Sequence, residues 1–407
     1  MHMTLEEDYL RLLGGINNFT TKVTGVPIID AYFGPERFSP DKAKVHSTAE
    51  ELLADLNTLI VNAKEIQDEL KRTAVTSDLE SLKVVVRWLS GEQTSYNRLV
   101  EGIFGITPLK FGQKEIQKAQ QVVADASATL SGSDVSERIL RWREENKVTG
   151  KKLKKIVETE VVERTRKIEA LFVKGIFAGF PSKVENNGIA YKAVTGEPWS
   201  AYNYYQGNYA SVNVFNIDRS FNRCNLIWVV CHEYEHHVAN LFKEKYYREN
   251  DALDLSAVIL HTKRSIIDEG TADCARDFLG LRLDEEHGAV AESLGSLGNM
   301  VSLNAAYMLN VEHVDDETAA EYYASETFMP LQEARKHLAF SRPLTFDGRL
   351  NFWAPYINTY FFGRRDYVLP TFQEAQKKGK LKEFFETLYL NPYSRSTSTW
   401  KIAFSKI

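Results

Sequence analysis

Apolar residues recur at intervals of three and four over most of the first 180 residues of the chain. In the segments 47–60 and 135–142 this spacing puts the apolar side chains on one face of a helix, with Ser or Thr followed by acidic residues at or near its start. The same periodicity runs from Gly150 to about Leu171. The pattern predicts a set of long antiparallel helices in this part of the chain.

A different pattern begins after the Gly-Phe-Pro-Ser segment at 179–182. Residues 183–219 are rich in Asn, Gly, Tyr and β-branched side chains, and residues 209–217 alternate between apolar and polar positions as a strand does. This predicts a small sheet or hairpin, for which the alternative is a β-flap with a purely structural role. Helical periodicity resumes at Asn222 and continues to Leu390.

Together these segments predict a mainly α fold with a small β-sheet or hairpin next to a functional helix. We expect an N-terminal helical region at 1–180, a small β element at 181–220, and a helical region at 221–407 that carries the functional site. At 407 residues the chain is long enough to bury a large core.

Composition and charge narrow the class of protein. Hydrophobic residues make up 43% of the chain and charged residues 26%, which is ordinary for a soluble globular protein. The formal net charge of -5 lacks the basic excess of a nucleic-acid-binding protein, so we expect no nucleic-acid partner. No stretch reaches the roughly 18 to 20 apolar residues of a membrane span, and the N-terminus lacks the pattern of a signal peptide. We therefore expect no membrane partner and a cytoplasmic location.

The most informative motif is His-Glu-Tyr-Glu-His at positions 232–236, inside the helix-compatible stretch 227–242. On a helix, His232 and His236 lie one above the other on one face, where both can ligate one zinc ion. Glu233 points to the flank of this pair, and from there it can act as a general base on a zinc-bound water. The alternative is a pair of solvated or hydrogen-bonded histidines without a metal.

A catalytic zinc needs a third protein ligand and an open position for water. Glu269 and Asp273 lie one turn apart on the next predicted helix, at 265–276. Glu269 would supply the carboxylate ligand, and Asp273 would accept the second N–H of a zinc-bound histidine and fix its tautomer. We therefore predict one zinc ion held by His232, His236 and Glu269.

Cysteine usage favours a reducing compartment, because the chain has three cysteines and no disulfide framework. Cys231 precedes a predicted ligand and Cys274 follows the acidic pair, so metal ligation is an alternative for either. We interpret both as small buried residues beside a packed helix.

The two motifs together resemble the gluzincins, zinc metallopeptidases with HExxH on one helix and Glu-x-x-x-Asp on the next. Here they are residues 232–236 and residues 269–273. The resemblance implies a zinc-dependent peptidase that hydrolyses a peptide substrate.

A narrower similarity covers more of the chain. The segments 30–35, 202–209 and 360–363 look like landmarks of a largely uncharacterised group of helical peptidases, whose architecture is similar to that of the carboxypeptidase and oligopeptidase folds. Those folds often carry Gly before the second zinc histidine, where this chain has Glu235. The difference leaves the ligands intact, but it prevents a transfer of substrate preference.

Such a reaction needs a donor for the developing oxyanion. Tyr360 is a candidate by its similarity to a tyrosine of the helical relatives, and His261 is another because it lies between the two metal-binding segments. Arg364 or Arg365 would bind a substrate carboxylate. Each has a structural alternative: a core aromatic for Tyr360, a capping or surface residue for His261, and surface charges for the arginines.

Backbone groups of the segment 208–216 would bind an extended peptide by strand addition, as edge strands do in other gluzincins, with Asn208 and Tyr209 as substrate-binding residues. His237 projects about 100° away from His236 around the helix, so we expect it to be structural or to line the pocket.

Three functional hypotheses remain. The leading one is a zinc-dependent peptidase. The alternatives are a non-catalytic helical protein that binds peptides or proteins and has a structural or vestigial metal site, and a zinc hydrolase of non-peptide amides. Glu233 favours an enzyme, because a structural zinc site has no use for a general base and usually has four protein ligands. The sequence does not predict an oligomeric state.

Overall fold

The structure is a computed structural model that describes residues 4–43, 46, 48–197, 199–282 and 285–407. Helices dominate these residues, which confirms the predicted mainly α fold. The helices are α1 (Leu5–Thr24), α2 (Ala49–Ala63), α3 (Glu69–Leu89), α4 (Tyr96–Phe104), α5 (Gln113–Ala126), α6 (Val135–Glu145), α7 (Gly150–Ile156), α8 (Val162–Gly175), α9 (Leu226–Asn250), α10 (Lys263–Phe278), α11 (Glu285–Asn310), α12 (Asp316–Thr327), α13 (Leu331–Leu338), α14 (Thr359–Phe362), α15 (Leu369–Lys378), α16 (Leu381–Leu390) and α17 (Trp400–Ala403). The strands are β1 (Ile29–Tyr32), β2 (Lys147–Val148), β3 (Gly188–Val194), β4 (Ala201–Gly207), β5 (Ala210–Asn216), β6 (Phe221–Asn222) and β7 (Ala257–Ile259). In this part of the chain, no helix is both long enough and apolar enough to cross a bilayer.

The predicted N-terminal helices begin at their capping residues. α2 follows Thr48 and α6 follows Asp134, and each of these side chains accepts a hydrogen bond from the backbone N–H three residues further on. The helix predicted from Gly150 continues to Gly175, because a π-helical turn at Val157–Val161 joins α7 to α8.

The predicted β element is a three-stranded sheet with the order β3-β5-β4. β5 lies in the centre, parallel to β3 and antiparallel to β4. β4 and β5 form a hairpin whose two turn residues, Asn208 and Tyr209, have φ angles of 51° and 56°. Positive φ at both turn positions is the geometry that matches the twist of a tight hairpin. The sheet packs on α9, and β4 is its edge on the side away from β3.

The buried apolar side chains combine helices from both ends of the chain. A large cluster runs from Tyr9 on α1 to Phe404 after α17 and includes the inner faces of α9 and α10. A second cluster joins α5 and α6 to α11, α12 and α13, with Trp142 and Leu309 among its members. Both cores therefore draw on residues from either side of position 180.

Two glycines bring α10 into backbone contact with the helical segment that contains α14 and α15. A Cβ on Gly270 would lie 2.4 Å from the carbonyl carbon of Gly363, and a Cβ on Gly363 would lie 1.8 Å from the carbonyl oxygen of Ile266. Only glycine fits at such a contact. The contact is next to a π-helical turn, Gly363–Val368, that links α14 to α15.

We expect Gly363→Ala to destabilise the protein by about 1–3 kcal/mol or more, because the added methyl group must push the two backbones apart. Denaturant unfolding of the purified variant measures this change. Gly295→Ala on α11 is the control, since a Cβ there meets nothing within 4 Å, and it should leave stability unchanged or raise it by about 1 kcal/mol. Equal stability of the two variants would contradict the tight crossing.

Candidate metal centre

The site is built on α9, which is buried along most of its length by α8, α10, α16 and the hairpin β4–β5. Glu235, His237 and Glu244 point toward these neighbours, and each is 0% exposed. One stripe of the helix is left to face a cleft, and it carries His232 and His236.

Three ligand-type atoms converge where α9 meets α10. The Nε2 atoms of His232 and His236 are 3.1 Å apart. Oε2 of Glu269 lies 3.3 Å from the first nitrogen and 3.6 Å from the second. Within the described ranges, this is the group of His, Cys, Asp and Glu side chains that lie close enough together to hold one metal ion.

The three atoms fit a zinc ion. A tetrahedral ion at about 2.0–2.1 Å from each ligand atom would hold its ligands roughly 3.3–3.4 Å apart. Oε2 of Glu269 is buried and makes no hydrogen bond with a described residue, as expected of an oxygen that a cation would satisfy. Two histidines and one glutamate are also a ligand set of catalytic zinc.

Neighbouring side chains orient these ligands. Oδ1 of Asp273 lies 2.9 Å from Nδ1 of His232, which leaves Nε2 to face the centre. The hydroxyl of Tyr356 donates a hydrogen bond of 2.9 Å to Oε1 of Glu269, so that Oε2 is the oxygen that remains for a metal. These contacts preorganise the three ligand atoms.

The centre is negatively biased and favours a bound cation. Burial alone would lower the pKa of His232, but Asp273 and Glu269 outweigh it and raise that pKa well above its ordinary value. Burial favours the neutral form of Glu269, yet the imidazoles of His236 and His232 hold the pKa of this carboxyl far below its usual range. A metal ion that replaces the imidazole protons is stabilised by the same negative charges of Asp273 and Glu269.

Glu233 lies beside the ligands, lines the cleft, and is only 6% exposed. Burial raises the pKa of its carboxyl, while His232 and His236 oppose that rise. The backbone N–H of Asn203 on β4 donates a hydrogen bond to the carboxylate. A carboxylate that is held in place with a raised pKa is suited to accept a proton.

Tyr360 lines the same cleft. Its hydroxyl forms no hydrogen bond with a described residue. Burial raises the pKa of this phenol well above its ordinary value, and the charges of Glu269 and Glu233 raise it further. Tyr360 therefore keeps its proton and has it free for donation into the cleft.

His261 lies in the aromatic core and not in the cleft, so its predicted role as an oxyanion donor is corrected. It is fully buried between Trp88 and Phe352, and its Nε2 lies 2.7 Å from the carbonyl oxygen of Phe352. Burial lowers the pKa of His261 to about 3. It is a neutral structural residue that no substrate can reach.

Arg364 and Arg365 also lie outside the cleft, which corrects their predicted role. Nη1 of Arg364 donates to the carbonyl oxygen of Asp273 at 3.0 Å and pairs with Asp277. Arg365 is exposed, and its Nε and Nη2 atoms donate hydrogen bonds to the carboxylate of Asp366. Both guanidinium groups are occupied by acidic side chains of the protein.

The hairpin turn has a structural function instead of the predicted substrate-binding one. The backbone N–H groups of Asn208 and Tyr209 each donate a 3.0 Å hydrogen bond to the carboxylate of Glu244. β5, which contains most of the segment 208–216, is paired on both sides. The strand beside the cleft is β4, through residues 201–203.

Several residues around the centre are not evident from the sequence. Asp30 enters the cleft because β1 pairs with β7 just before α10, and Tyr202 donates a 2.7 Å hydrogen bond to it. Burial raises the pKa of Asp30 to about 6. The segments 30–35 and 202–209 resemble landmarks of a group of helical peptidases, but their spacing in the sequence does not predict that they are in contact. No sequence pattern predicts that Tyr356 lies at the centre.

Glu235 has a partner in the C-terminal segment 391–398, which has no regular sequence pattern. Its Oε1 lies 3.2 Å and 3.3 Å from the two terminal nitrogens of Arg395. Arg395 also donates to Asp268 at 2.8 Å and to Thr271 at 2.7 Å. Glu235 therefore ties α9 to α10 and to the segment 391–398.

A cleft of about 510 Å³ opens over the centre. β4 and α9 form one wall, and residues of α12 and α13 such as Tyr323 and Leu338 contribute to another. Its size suits a small molecule or a short peptide.

We expect the purified protein to bind one zinc ion per chain, and His236→Ala to abolish this binding, because it removes a ligand. Asp273→Asn should weaken zinc binding by about 10- to 100-fold, because His232 loses the carboxylate that orients it. Competition with a zinc-binding dye measures both effects. Asp125→Asn, at an exposed position on α5, is the matched control. Equal affinities of the Asp273 and Asp125 variants would contradict the orienting role.

No family model matches this chain, and no curated protein matches it. Among solved structures, a protein from Colwellia psychrerythraea described as a "putative lipoprotein" aligns with a TM-score of 0.55 and 14% identity, over 89% of this chain and 65% of that one. A "putative lipoprotein of unknown function" from Shewanella oneidensis aligns with a TM-score of 0.49 and 14% identity, over 88% of this chain and 72% of that one. The chain therefore shares its fold with the Colwellia protein and spans 65% of that protein's length.

Proposed function

We propose that this protein is a zinc-dependent peptidase of the gluzincin type. The observation that carries the proposal is the convergence of His232, His236 and Glu269 in a geometry that fits zinc, with Glu233 beside them in a cleft. A structural zinc site usually has four protein ligands. Three ligands, a neighbouring base and an open cleft favour hydrolysis over a structural or vestigial site.

The reaction needs a base, a proton donor and a bound carbonyl. Zinc, when bound, would polarise the carbonyl and lower the pKa of the attacking water. Glu233 takes a proton from that water and passes it to the leaving nitrogen as the C–N bond breaks. The acyl carbon keeps the hydroxyl group, and the amine leaves with the proton.

Tyr360 is the donor for the oxyanion in this proposal. Its hydroxyl faces the cleft without a partner among the described residues, and it stays protonated. Tyr356 has a different part, because its hydroxyl already holds Oε1 of Glu269. A donor aimed at developing negative charge stabilises the transition state more than the ground state.

The edge of β4 supports a peptide as the substrate. Residues 201–203 of this strand line the cleft and stand next to Glu233. An extended peptide can add to such an edge through backbone hydrogen bonds, whereas a small amide uses fewer of them. Comparing peptide hydrolysis with that of acylated amines separates these two classes of substrate.

The compartment stays a prediction. Within the described ranges Cys224, Cys231 and Cys274 form no disulfide, which favours the cytoplasm. The likeness in fold to a protein described as a "putative lipoprotein" speaks for a location at a membrane instead. Cell fractionation followed by detection of the chain decides between them.

We expect Glu233→Gln to abolish hydrolysis of a peptide pool while zinc stays bound, because the amide cannot accept the proton of water. Product formation by mass spectrometry and zinc content of the same sample measure the two effects. Glu163→Gln, at an exposed position on α8, should retain full activity, and a chelator should remove the activity of the wild type. Full activity of the Glu233 variant would rule out its role as the base.

Tyr360→Phe should lower kcat by about 10²- to 10³-fold with little change in KM, because the lost hydrogen bond acts mainly in the transition state. Steady-state kinetics on one cleaved peptide measure this split. Tyr307→Phe on α11, away from the cleft, is the control. A large rise in KM with unchanged kcat would assign Tyr360 to ground-state binding.

A further inference from the structure

The cleft continues past the metal ligands along the same stripe of α9. His232, His236 and Lys243 all line it. A spacing of seven residues is within about 20° of two full helical turns, so Lys243 lies on the same face as His236. The stripe therefore carries two metal ligands followed by a cation.

Lys243 differs from the other cations at this end of the cleft in having no partner among the described residues. Arg264 donates to Asp78 at 2.7 Å and to the carbonyl oxygen of Pro392 at 3.1 Å. Arg395 is saturated by the acids described above. The ammonium of Lys243 makes no hydrogen bond and no ion pair with any residue that the structure describes.

None of the nearby acids forms an ion pair with Lys243 among the described residues. Asp78 and Asp268 are each bound to an arginine. Asp30 accepts the hydrogen bond of Tyr202 and acts on Lys243 only through space. Burial, and then the charge of Arg264, lowers the pKa of Lys243 to about 8, so its ammonium form still predominates at neutral pH. A partly buried charge without a partner is costly, and an anionic ligand relieves that cost.

The position of Lys243 limits what this anion can be. Seven residues of helix rise about 10 Å, and helical side chains lean back toward the N-terminus, so the ammonium lies roughly 5–10 Å from the metal ligands. An extended peptide advances about 3.3–3.5 Å per residue. A group that reaches Lys243 therefore lies roughly one to three residues from the bond at the metal centre.

We propose that Lys243 binds a carboxylate of the substrate, roughly one to three residues away from the bond that is cleaved. The inference rests on the proposed peptidase function, which it deepens by naming the class of substrate. The carboxylate has two sources, the C-terminus of a peptide or the side chain of Asp or Glu. The first makes the enzyme an exopeptidase that acts at the C-terminal end, and the second makes it selective for acidic peptides.

Three pools of N-acetylated tetrapeptides built from Ala, Leu, Phe and Gln separate these cases. The first pool has a free C-terminal carboxylate, the second a C-terminal amide, and the third a C-terminal amide with Glu at the last or second-last position. We expect the zinc-loaded wild type to hydrolyse the first or the third pool at least tenfold faster than the second, as measured by mass spectrometry. Equal rates for all three pools would overturn the proposal.

Variants assign the preference to Lys243. Lys243→Met should remove the difference in rate between the pools that carry a carboxylate, the first and the third, and the neutral second pool. Lys243→Arg should retain part of this difference. Lys245→Met is the control on the same helix, because Lys245 pairs with Glu249 and does not line the cleft. An equal loss on all pools after Lys243→Met, with an unchanged Tm, would contradict a carboxylate site.

A binding measurement keeps this test separate from the proposed hydrolysis. Zinc-loaded Glu233→Gln should bind the first or the third pool at least tenfold more tightly than the second pool in calorimetry. Adding Lys243→Met to this variant should abolish the difference in affinity. If the wild type cleaves no pool, the proposed peptidase function fails and this measurement alone decides on Lys243. Equal affinity for the pools would overturn the carboxylate site even in an active enzyme.

Discussion

Everything around the metal centre depends on how the buried polar groups of α9 are satisfied. An unpaired charge inside a protein costs several kcal/mol, and α9 carries Glu235 and Glu244 at positions with 0% exposure. The first is bound by Arg395, and the second by the hairpin turn and Arg248. Arg248 lies on α9 itself, but Arg395 and the hairpin turn come from other parts of the chain and approach different sides of the helix. These two contacts fix its rotation, and this rotation aims His232 and His236 at the cleft.

The same arrangement explains how much of the site the sequence could predict. His232 with His236, and Glu269 with Asp273, are each one helical turn apart, so helical geometry alone places them on a common face. No comparable rule predicts contacts between residues that are far apart in the sequence. Tyr356 is 87 positions away from Glu269 and yet binds it, whereas His261 lies between the two motifs in the sequence and packs in the aromatic core.

The β element shows a similar limit. Alternation of apolar and polar residues predicts a strand at 209–217, and β5 forms there. Alternation does not reveal which strand is an edge, because this depends on the pairing of β3 with β5. β3 and β4 are the two edges of the sheet, and the one that borders the cleft is β4, the strand that precedes β5. The prediction that Arg364 and Arg365 bind substrate was also wrong, because acidic side chains of the protein itself bind both of them.

The contact between Glu235 and Arg395 has a consequence for the order in which the protein forms. The two residues are 160 positions apart in the chain, and contacts of such separation form late and slowly compared with local helix formation. During synthesis, α9 emerges from the ribosome long before Arg395, the counter-ion of Glu235, has been added to the chain. Its metal-binding face can thus be helical early, but its final rotation must wait for the segment 391–398. Assembly of the site is in this way coupled to the synthesis of a segment far downstream of the metal-binding motif.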